Sequence, residues 1–191
     1  MIKLLNKRQT GLSRYFIPIL TQMTTFFKKI RGGAPLPSRP SIWHTLQGLI
    51  GGAIGISVVA YLSHLTATPL LIAPLGATCV LLFAVPDAPL AQPRNVIAGH
   101  FLSSLVGLIF LNYFGTGTLE MGLAVGCAIA LMQFTRTVHP PAGADPLVIM
   151  LGGTASWQFL LTPVLASTIL LVLIALVVNN VDKERHWPKY W

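Results

Sequence analysis

The side chains best suited to chemistry in this sequence are a few polar and ionisable ones that lie within long apolar stretches. The densest group is the run His139–Asp145, with the sequence HPPAGAD, three residues after Arg136. Ionisable groups at membrane depth are costly and usually face a cavity or a partner. Proline followed by Gly143 and Ala144 at a helix start leaves backbone N–H groups available to an anion. In the alternative interpretation, these residues only mark a membrane boundary and the prolines set a turn.

A second polar group precedes it and contains Gln92, Arg94, Asn95 and His100. Arg94 is charged at any physiological pH, so it either attracts an anion or anchors the chain at the cytoplasmic surface. His100 is either a titrating site residue or a packing histidine. The role of Asp145 also stays open: it caps its helix, pairs with one of the arginines, or carries a coupled proton.

Catalytic motifs are missing from the sequence. It has no G-x-S-x-G elbow, no H-E-x-x-H, no phosphate-binding G-x-x-x-x-G-K-[ST] and no Cys/His spacing typical of zinc. The two cysteines, Cys79 and Cys127, lie in apolar runs and are expected to be packing residues. We therefore expect no enzyme activity, no cofactor and no bound metal.

The elements that must position these groups are transmembrane helices. The 191 residues are 53% hydrophobic and 9% charged, with a mean hydropathy of +0.70, whereas soluble domains carry about 25% charged residues. Four apolar segments are long enough to cross about 30 Å of hydrocarbon, and two are short and interrupted by Pro and Gly. The sequence predicts an all-α, polytopic transmembrane bundle with segments at 44–63, 69–86, 96–114, 119–135, 141–156 and 159–178.

Charge placement predicts the domain organisation and the topology. Eight of the 13 basic residues precede Ser41, and cytoplasmic flanks are enriched in Lys and Arg. Residues 1–41 are predicted to be a basic arm and linker at the anionic membrane surface, with an amphipathic helix in 1–31. Residues 42–180 form the membrane domain, and 181–191 a basic cytoplasmic tail. Both termini are then inside, and six crossings also place Arg94 and Arg136 inside.

The two interrupted segments share a motif. Pro74-Leu75-Gly76-Ala77 corresponds to Pro141-Ala142-Gly143-Ala144, and each follows a glycine-rich helix. Because three crossings per unit is an odd number, the second unit would be inverted relative to the first. Such 3+3 inverted repeats with broken helices are common in transporters, with the substrate site where the breaks meet. The alternative is a chance similarity between two apolar segments.

The motifs identify a family resemblance. The tripeptide His139-Pro140-Pro141, the run Ala73–Ala77 and the run Leu90–His100, LAQPRNVIAGH, resemble the HPP family of membrane proteins over residues 42–180. The resemblance implies a compact multi-helix membrane protein, usually described with four crossings, two fewer than the charge pattern favours. Some members look like nitrite transporters.

The resulting hypothesis is a transporter or channel in the cell inner membrane for a small inorganic anion, with nitrite as one candidate. The alternative is a membrane scaffold or regulatory subunit that transports nothing. Expected partners are the bilayer, anionic lipid headgroups, a small anion and further copies of the chain, without nucleic acid. The predicted substrate-binding residues are Pro74, Gly76, Ala77, Arg94, Asn95, His100, His139, Pro140, Pro141, Gly143, Ala144 and Asp145.

Overall fold

The computed structural model describes residues 23, 25–26, 28–30, 33–153, 156–181 and 185–191. The chain divides into two compact units, Met1–Arg39 and Pro40–Trp191. The predicted amphipathic helix in the arm falls largely outside the described residues, and its described members between 23 and 30 are helical. The described residues between 33 and 40 are exposed and have no regular structure.

The described residues of the second unit form six α-helices and several short helical turns. Proline at the first turn opens most of the shorter elements, because its fixed φ suits that position and its missing N–H needs no partner there. The elements are α1 (Ile42–Leu65), α2 (Pro74–Cys79) continued by a π turn (Val80–Ala84), a 3₁₀ turn (Pro89–Ala91), α3 (Pro93–Tyr113), α4 (Thr118–Phe134), a 3₁₀ turn (Pro140–Ala144) leading into α5 (Asp145–Gly152), and two turns (Trp157–Leu160, Leu161–Leu165) leading into α6 (Ala166–Asn179).

All regular elements in the described part of the chain are helices, which confirms the all-α prediction. Three helices there are long and apolar enough to cross a membrane: Ile42–Leu65, Pro93–Tyr113 and Trp157–Asn179. Two apolar helices are shorter, Pro74–Ala84 and Thr118–Phe134. The helix Pro74–Ala84 measures about 16 Å at 1.5 Å per residue, so its helical part alone is much shorter than the hydrocarbon layer.

The second segment runs along α1 in the opposite direction. Near the end of α1, the hydroxyl of Ser63 donates to the carbonyl of Thr68 at 2.8 Å and accepts from the N–H of Leu70 at 3.0 Å. Near the start of α1, a Cβ added to Gly48 would lie 3.7 Å from the carbonyl oxygen of Phe83. The chain from residue 68 to residue 83 therefore follows most of α1, although only its second half is helical.

The fifth segment runs along α3 in the same direction as that helix. Near the start of α3, the Asn95 amide donates to the carbonyl of Val138 at 2.9 Å. Two turns later, the Ser103 hydroxyl donates to the carbonyl of Ala142 at 2.6 Å. An extended stretch and a 3₁₀ turn thus lie against the first half of α3 before α5 begins.

A different cavity lies at each of the two ends of this unit, and the lining residues show which parts of the chain share an end. At one end, His44 at the start of α1, Asp87 and Arg185 of the tail line a cavity of about 260 Å³, and the His44 ring contacts the Arg185 guanidinium. At the other end, Thr68 and Ser156 help to line a cavity of about 400 Å³. The start of α1 and the chain after α6 therefore lie at the same end.

The C-terminal residues pack into the unit. Trp187 is only 3% exposed, and its indole N–H donates to the carbonyl of Pro86 at 3.1 Å. Lys189 forms an ion pair with Asp87 at 3.1 Å. The sequence predicts a basic tail over 181–191. Burial of an indole here shows that the described part of this tail docks through an apolar anchor as well as through charge.

Candidate functional site

A continuous chain of buried side-chain hydrogen bonds links the second, third and fifth segments. Asp145 Oδ2 lies 2.8 Å from His100 Nδ1 and accepts from the Ser104 hydroxyl at 3.2 Å. The hydroxyl oxygen of Thr78 lies 2.8 Å from His100 Nε2 and 3.0 Å from His139 Nε2. All five residues are buried. We call Asp145, His100, Thr78 and His139 the polar network.

The outer ends of the polar network differ. His139 Nδ1 donates to the carbonyl of Leu90 at 2.7 Å, which attaches the network to the loop before α3. At the other end, Asp145 Oδ1 has no hydrogen-bond partner among the described residues, although it is buried. An unpartnered buried carboxylate oxygen is costly, so the Asp145 end of the network is incompletely satisfied by the protein.

Small and polar residues four positions apart on α3 bring the network together. Gly99 and Gly107 lie on this face, where added Cβ atoms would approach His139 Cβ to 2.8 Å and Pro146 Cα to 2.7 Å. Together with Asn95 and Ser103 they form a stripe at a spacing of four, which lies on one side of a helix. Small residues let segments approach closely inside membranes. The stripe therefore holds the fifth segment against α3, with His100 beside it.

The two interrupted helices contribute to one cavity. Its volume is about 610 Å³. Pro74 and Ala77 come from the first P-x-G-A motif, Pro141 and Ala144 come from the second, and Pro140 directly precedes the second. The other residues in its wall are Ala73, Val80, Leu81 and Val148. The side chains lining the cavity are thus apolar, and the polar network lies behind its wall, where Pro74 and Thr78 are one helical turn apart.

Several backbone donors at the breaks are already used. The N–H groups of Leu75 and Gly76 donate to the carbonyls of Ile72 and Ala73, and the N–H of Ala142 donates to the carbonyl of His139. The expectation of free N–H groups at the helix starts is therefore wrong for these three donors, because tight turns before each helix supply acceptors. Any attraction for an anion must come mainly from elsewhere.

The predicted glycines adjoin open space. A Cβ at Gly76 or at Gly143 would meet no atom of the described chain within 4 Å. Neither glycine is needed for packing within this chain, in contrast to Gly99 and Gly107. Neither glycine lines the cavity between the breaks, and Gly76 lines a separate cavity of about 320 Å³ together with Gly48 and Gly52 of α1.

Arg94 and Asn95 lie at one end of the unit. The exposed Arg94 guanidinium donates to the carbonyl of Thr135 at 3.2 Å, where α4 ends, and a cation is favourable at a helix C-terminus. The buried Asn95 donates from its side-chain amide to the carbonyl of Val138. The Oδ1 atom of Asn95 accepts from the Tyr190 hydroxyl at 3.0 Å. Neither residue lines the cavity between the breaks.

The partner of Asp145 differs from the arginines considered from the sequence. Its partner is His100, about two turns inside α3, while Arg94 bonds to the end of α4. Sequence reasoning also missed Thr78, Ser103 and Ser104, which are all fully buried. Their positions carry a signal: Thr78 stands four residues after Pro74, and Ser104 four after His100, so each shares a helix face with a site residue.

The comparisons with known proteins agree with this architecture. The chain is similar to two transmembrane proteins of Dictyostelium discoideum, 37% identical over 181 residues and 35% identical over 177 residues. Each match covers 87% of this chain and 63% or 57% of the relative, so the chain spans about three-fifths of the length of these curated relatives. No solved structure matches it. The family model described as HPP, transmembrane region, matches residues 37–188, and the chain therefore belongs to the HPP transmembrane family, as its motifs predicted.

Proposed function

We propose that this multi-pass membrane protein transports a small inorganic anion, with nitrite as the first candidate. The observation that carries the proposal is the buried polar network behind a cavity lined by both interrupted helices. Ionisable side chains inside a membrane protein usually mark a solute or proton pathway. The choice of nitrite rests on the family resemblance, and the choice of an anion on the histidines, which can become cationic.

Six crossings are part of the proposal. The second segment follows α1 backwards from Leu70 to Phe83, and the fifth follows α3 forwards, which supports a complete traverse by each. The contact between His44 and Arg185 supports an even number, with both ends of the unit on one side. The basic residues favour the cytoplasmic side for that end, in an inner membrane with anionic lipids against the arm.

The packing of the third helix in each half supports the inverted repeat. α3 packs on α4 and α5, and α6 packs on α1 and on the segment containing α2. A two-fold relation between the halves makes their mutual contacts reciprocal, as these contacts of α3 and α6 are. The two interrupted helices then enter from opposite sides and meet at the cavity, as in other inverted-repeat transporters.

Asp145, His100 and Thr78 are hydrogen-bonded in the same order as the residues of a hydrolase triad, but we do not propose that this protein is an enzyme. A nucleophile must reach its substrate, and Thr78 is fully buried with His100, His139 and Pro74 around its oxygen. We therefore propose that the polar network binds protons or balances charge. Assembly with further copies of the chain stays an expectation.

Flux into proteoliposomes tests the proposal. Purified protein is reconstituted, and uptake of nitrite, nitrate, chloride and formate is compared with uptake of sodium and potassium and with protein-free vesicles. We expect saturable anion uptake. Ala77→Leu should abolish it, because the added side chain fills the cavity wall, whereas Ala130→Leu on an exposed face of α4 should leave it unchanged.

Two outcomes would contradict the proposal. Equal uptake in vesicles with and without protein, for every solute, would favour the scaffold. Uptake that Ala77→Leu and Ala130→Leu reduce equally would show that the cavity between the breaks is not on the pathway.

A further inference from the structure

The Thr78 hydroxyl has three polar neighbours but only one proton to donate. Its oxygen lies 2.8 Å from His100 Nε2, 3.0 Å from His139 Nε2 and 3.2 Å from the carbonyl oxygen of Pro74. A hydroxyl donates one hydrogen bond and accepts two. The protons on the two rings therefore decide which of the three contacts can be hydrogen bonds at the same time.

The partners of the two Nδ1 atoms determine where some of the ring protons lie. A carbonyl oxygen can only accept, so His139 Nδ1, 2.7 Å from that of Leu90, carries a proton. His100 Nδ1 shares a proton with Asp145 Oδ2. If neither Nε2 carried a proton, the Thr78 hydroxyl could donate to one ring only, and the other Nε2 would face an oxygen lone pair. That arrangement leaves one buried contact unmade.

One proton on either Nε2 completes the link between the rings. The protonated ring donates to Thr78, and Thr78 donates to the other ring. The proton can lie on His100 or on His139, since moving it through the hydroxyl only reverses the direction of both bonds. With the carboxylate of Asp145 ionised, one imidazolium and one carboxylate give the polar network a net charge of zero.

A second proton can be added without losing a hydrogen bond. With both Nε2 atoms protonated, His100 and His139 each donate to Thr78, and the hydroxyl donates to the Pro74 carbonyl. Asp145 balances one of the two positive charges, so the network then carries +1. Because Pro74 lines the cavity between the breaks, this charge forms directly behind the cavity wall.

We propose that the polar network is a proton-binding site that takes up one proton when a small anion enters the cavity and releases it when the anion leaves. This inference rests on the anion transport proposed above and identifies its co-substrate as a proton. Proton and anion together bring no net charge into the low-dielectric interior, where an isolated charge is costly. Without the second proton, the polar network has no net charge with which to balance the anion.

Other ionisable groups on the surrounding elements point elsewhere. Cys79, next to Thr78, has its sulfur toward Gly55 of α1, and Arg94 of α3 is exposed at the helix start. Helix α6 has no ionisable side chain, Glu120 of α4 lies in its first turn, and Cys127 is exposed. Within the described chain, His100 is the titratable group in contact with His139, with ring centroids 5.0 Å apart, and Asp145 bonds to His100.

Proton uptake by the purified protein tests the site. Nitrite is added to weakly buffered protein in detergent, and a pH indicator measures the protons bound. We expect one proton per bound nitrite for the wild type and for Thr78→Ser, which keeps the hydroxyl. We expect none for Thr78→Val, which has a similar shape but no hydroxyl. Nitrite binding without proton uptake by the wild type would overturn the inference and leave anion transport intact.

Histidine ¹⁵N NMR separates the proton site from the transport function. Acidification should protonate the second Nε2 while His139 Nδ1 keeps its proton. Thr78→Ser should behave like the wild type. If neither Nε2 changes, the proton site is wrong whatever the flux. If the Nε2 changes but vesicles take up no anion, transport is wrong, and the network is a proton site without an anion partner.

Discussion

Gly99 is the position where the polar network depends most directly on close packing. In Gly99→Ala, the new Cβ would lie 2.8 Å from His139 Cβ and 2.9 Å from the carbonyl oxygen of Thr137. Non-bonded carbon atoms pack at about 3.5–4.0 Å, so α3 and the residues before Pro140 must separate by roughly 0.7–1.2 Å. That shift would stretch the bonds of His139 to Leu90 and to Thr78 to the limit of hydrogen-bond range or beyond. Overpacking of this kind typically costs about 1–3 kcal/mol.

Gly126→Ala is the matched control. Gly126 also lies inside a helix, and a Cβ there would meet no atom of the described chain within 4 Å. Both variants gain about 1 kcal/mol of helix propensity, so the difference between them isolates the clash. At about 2–4 °C per kcal/mol for a chain of this size, Gly99→Ala should melt roughly 2–12 °C below Gly126→Ala.

The assay is thermal unfolding of both purified variants in the same detergent, followed by tryptophan fluorescence and by anion uptake after reconstitution. Gly99→Ala should lose both stability and uptake. Equal melting temperatures and equal uptake would refute the close approach of α3 to His139, and with it the basis for the buried network.

Three further predictions concern the pairing, the tail and the topology. Asp145→Ala should lower the free energy of unfolding by about 3–5 kcal/mol, because it leaves a buried histidine unpaired, whereas Asp145→Asn should lower it much less. Denaturation in detergent measures both values, and equal losses for the two variants would contradict the prediction. Trp187→Ala should cost about 3–5 kcal/mol, as for other buried tryptophans, and a change within error of the wild type would show that the tail is not docked. In a cysteine-free background, Asp87→Cys and Gln133→Cys should be shielded from an impermeant maleimide in intact cells while Thr116→Cys is labelled; external labelling of the first two would remove the six-crossing proposal.

Much of the helical architecture was predictable, because apolar runs and prolines act locally. Each predicted apolar segment contains a helix, and the interruption expected at Pro74 appears as extended chain before a short helix. The histidines and Asp145 were found because ionisable side chains are conspicuous in an apolar sequence. These features follow from composition and spacing alone.

The partners of those residues were not predictable, because they depend on which helix faces meet. Asp145 lies 45 positions from His100 and closer in sequence to Arg136, and only the packing of the fifth segment along α3 selects the histidine. The spacing from Pro74 places Thr78 on the same helix face as a predicted site residue, but it does not indicate that the hydroxyl lies between two histidine rings. Burial of Trp187 likewise depends on the loop at Pro86, 101 positions away.

The accessibility of the cavity between the breaks distinguishes an anion pathway from a space filled by lipid. Ala77 lines the cavity and is exposed within the chain, so Ala77→Cys in a cysteine-free background presents a thiol to whatever fills that space. An anion pathway predicts reaction with a small sulfonate thiol reagent in reconstituted vesicles, slowed by added nitrite. Reaction only with an apolar, membrane-permeant reagent, at a rate that nitrite does not change, would show that lipid fills the cavity and would contradict the account.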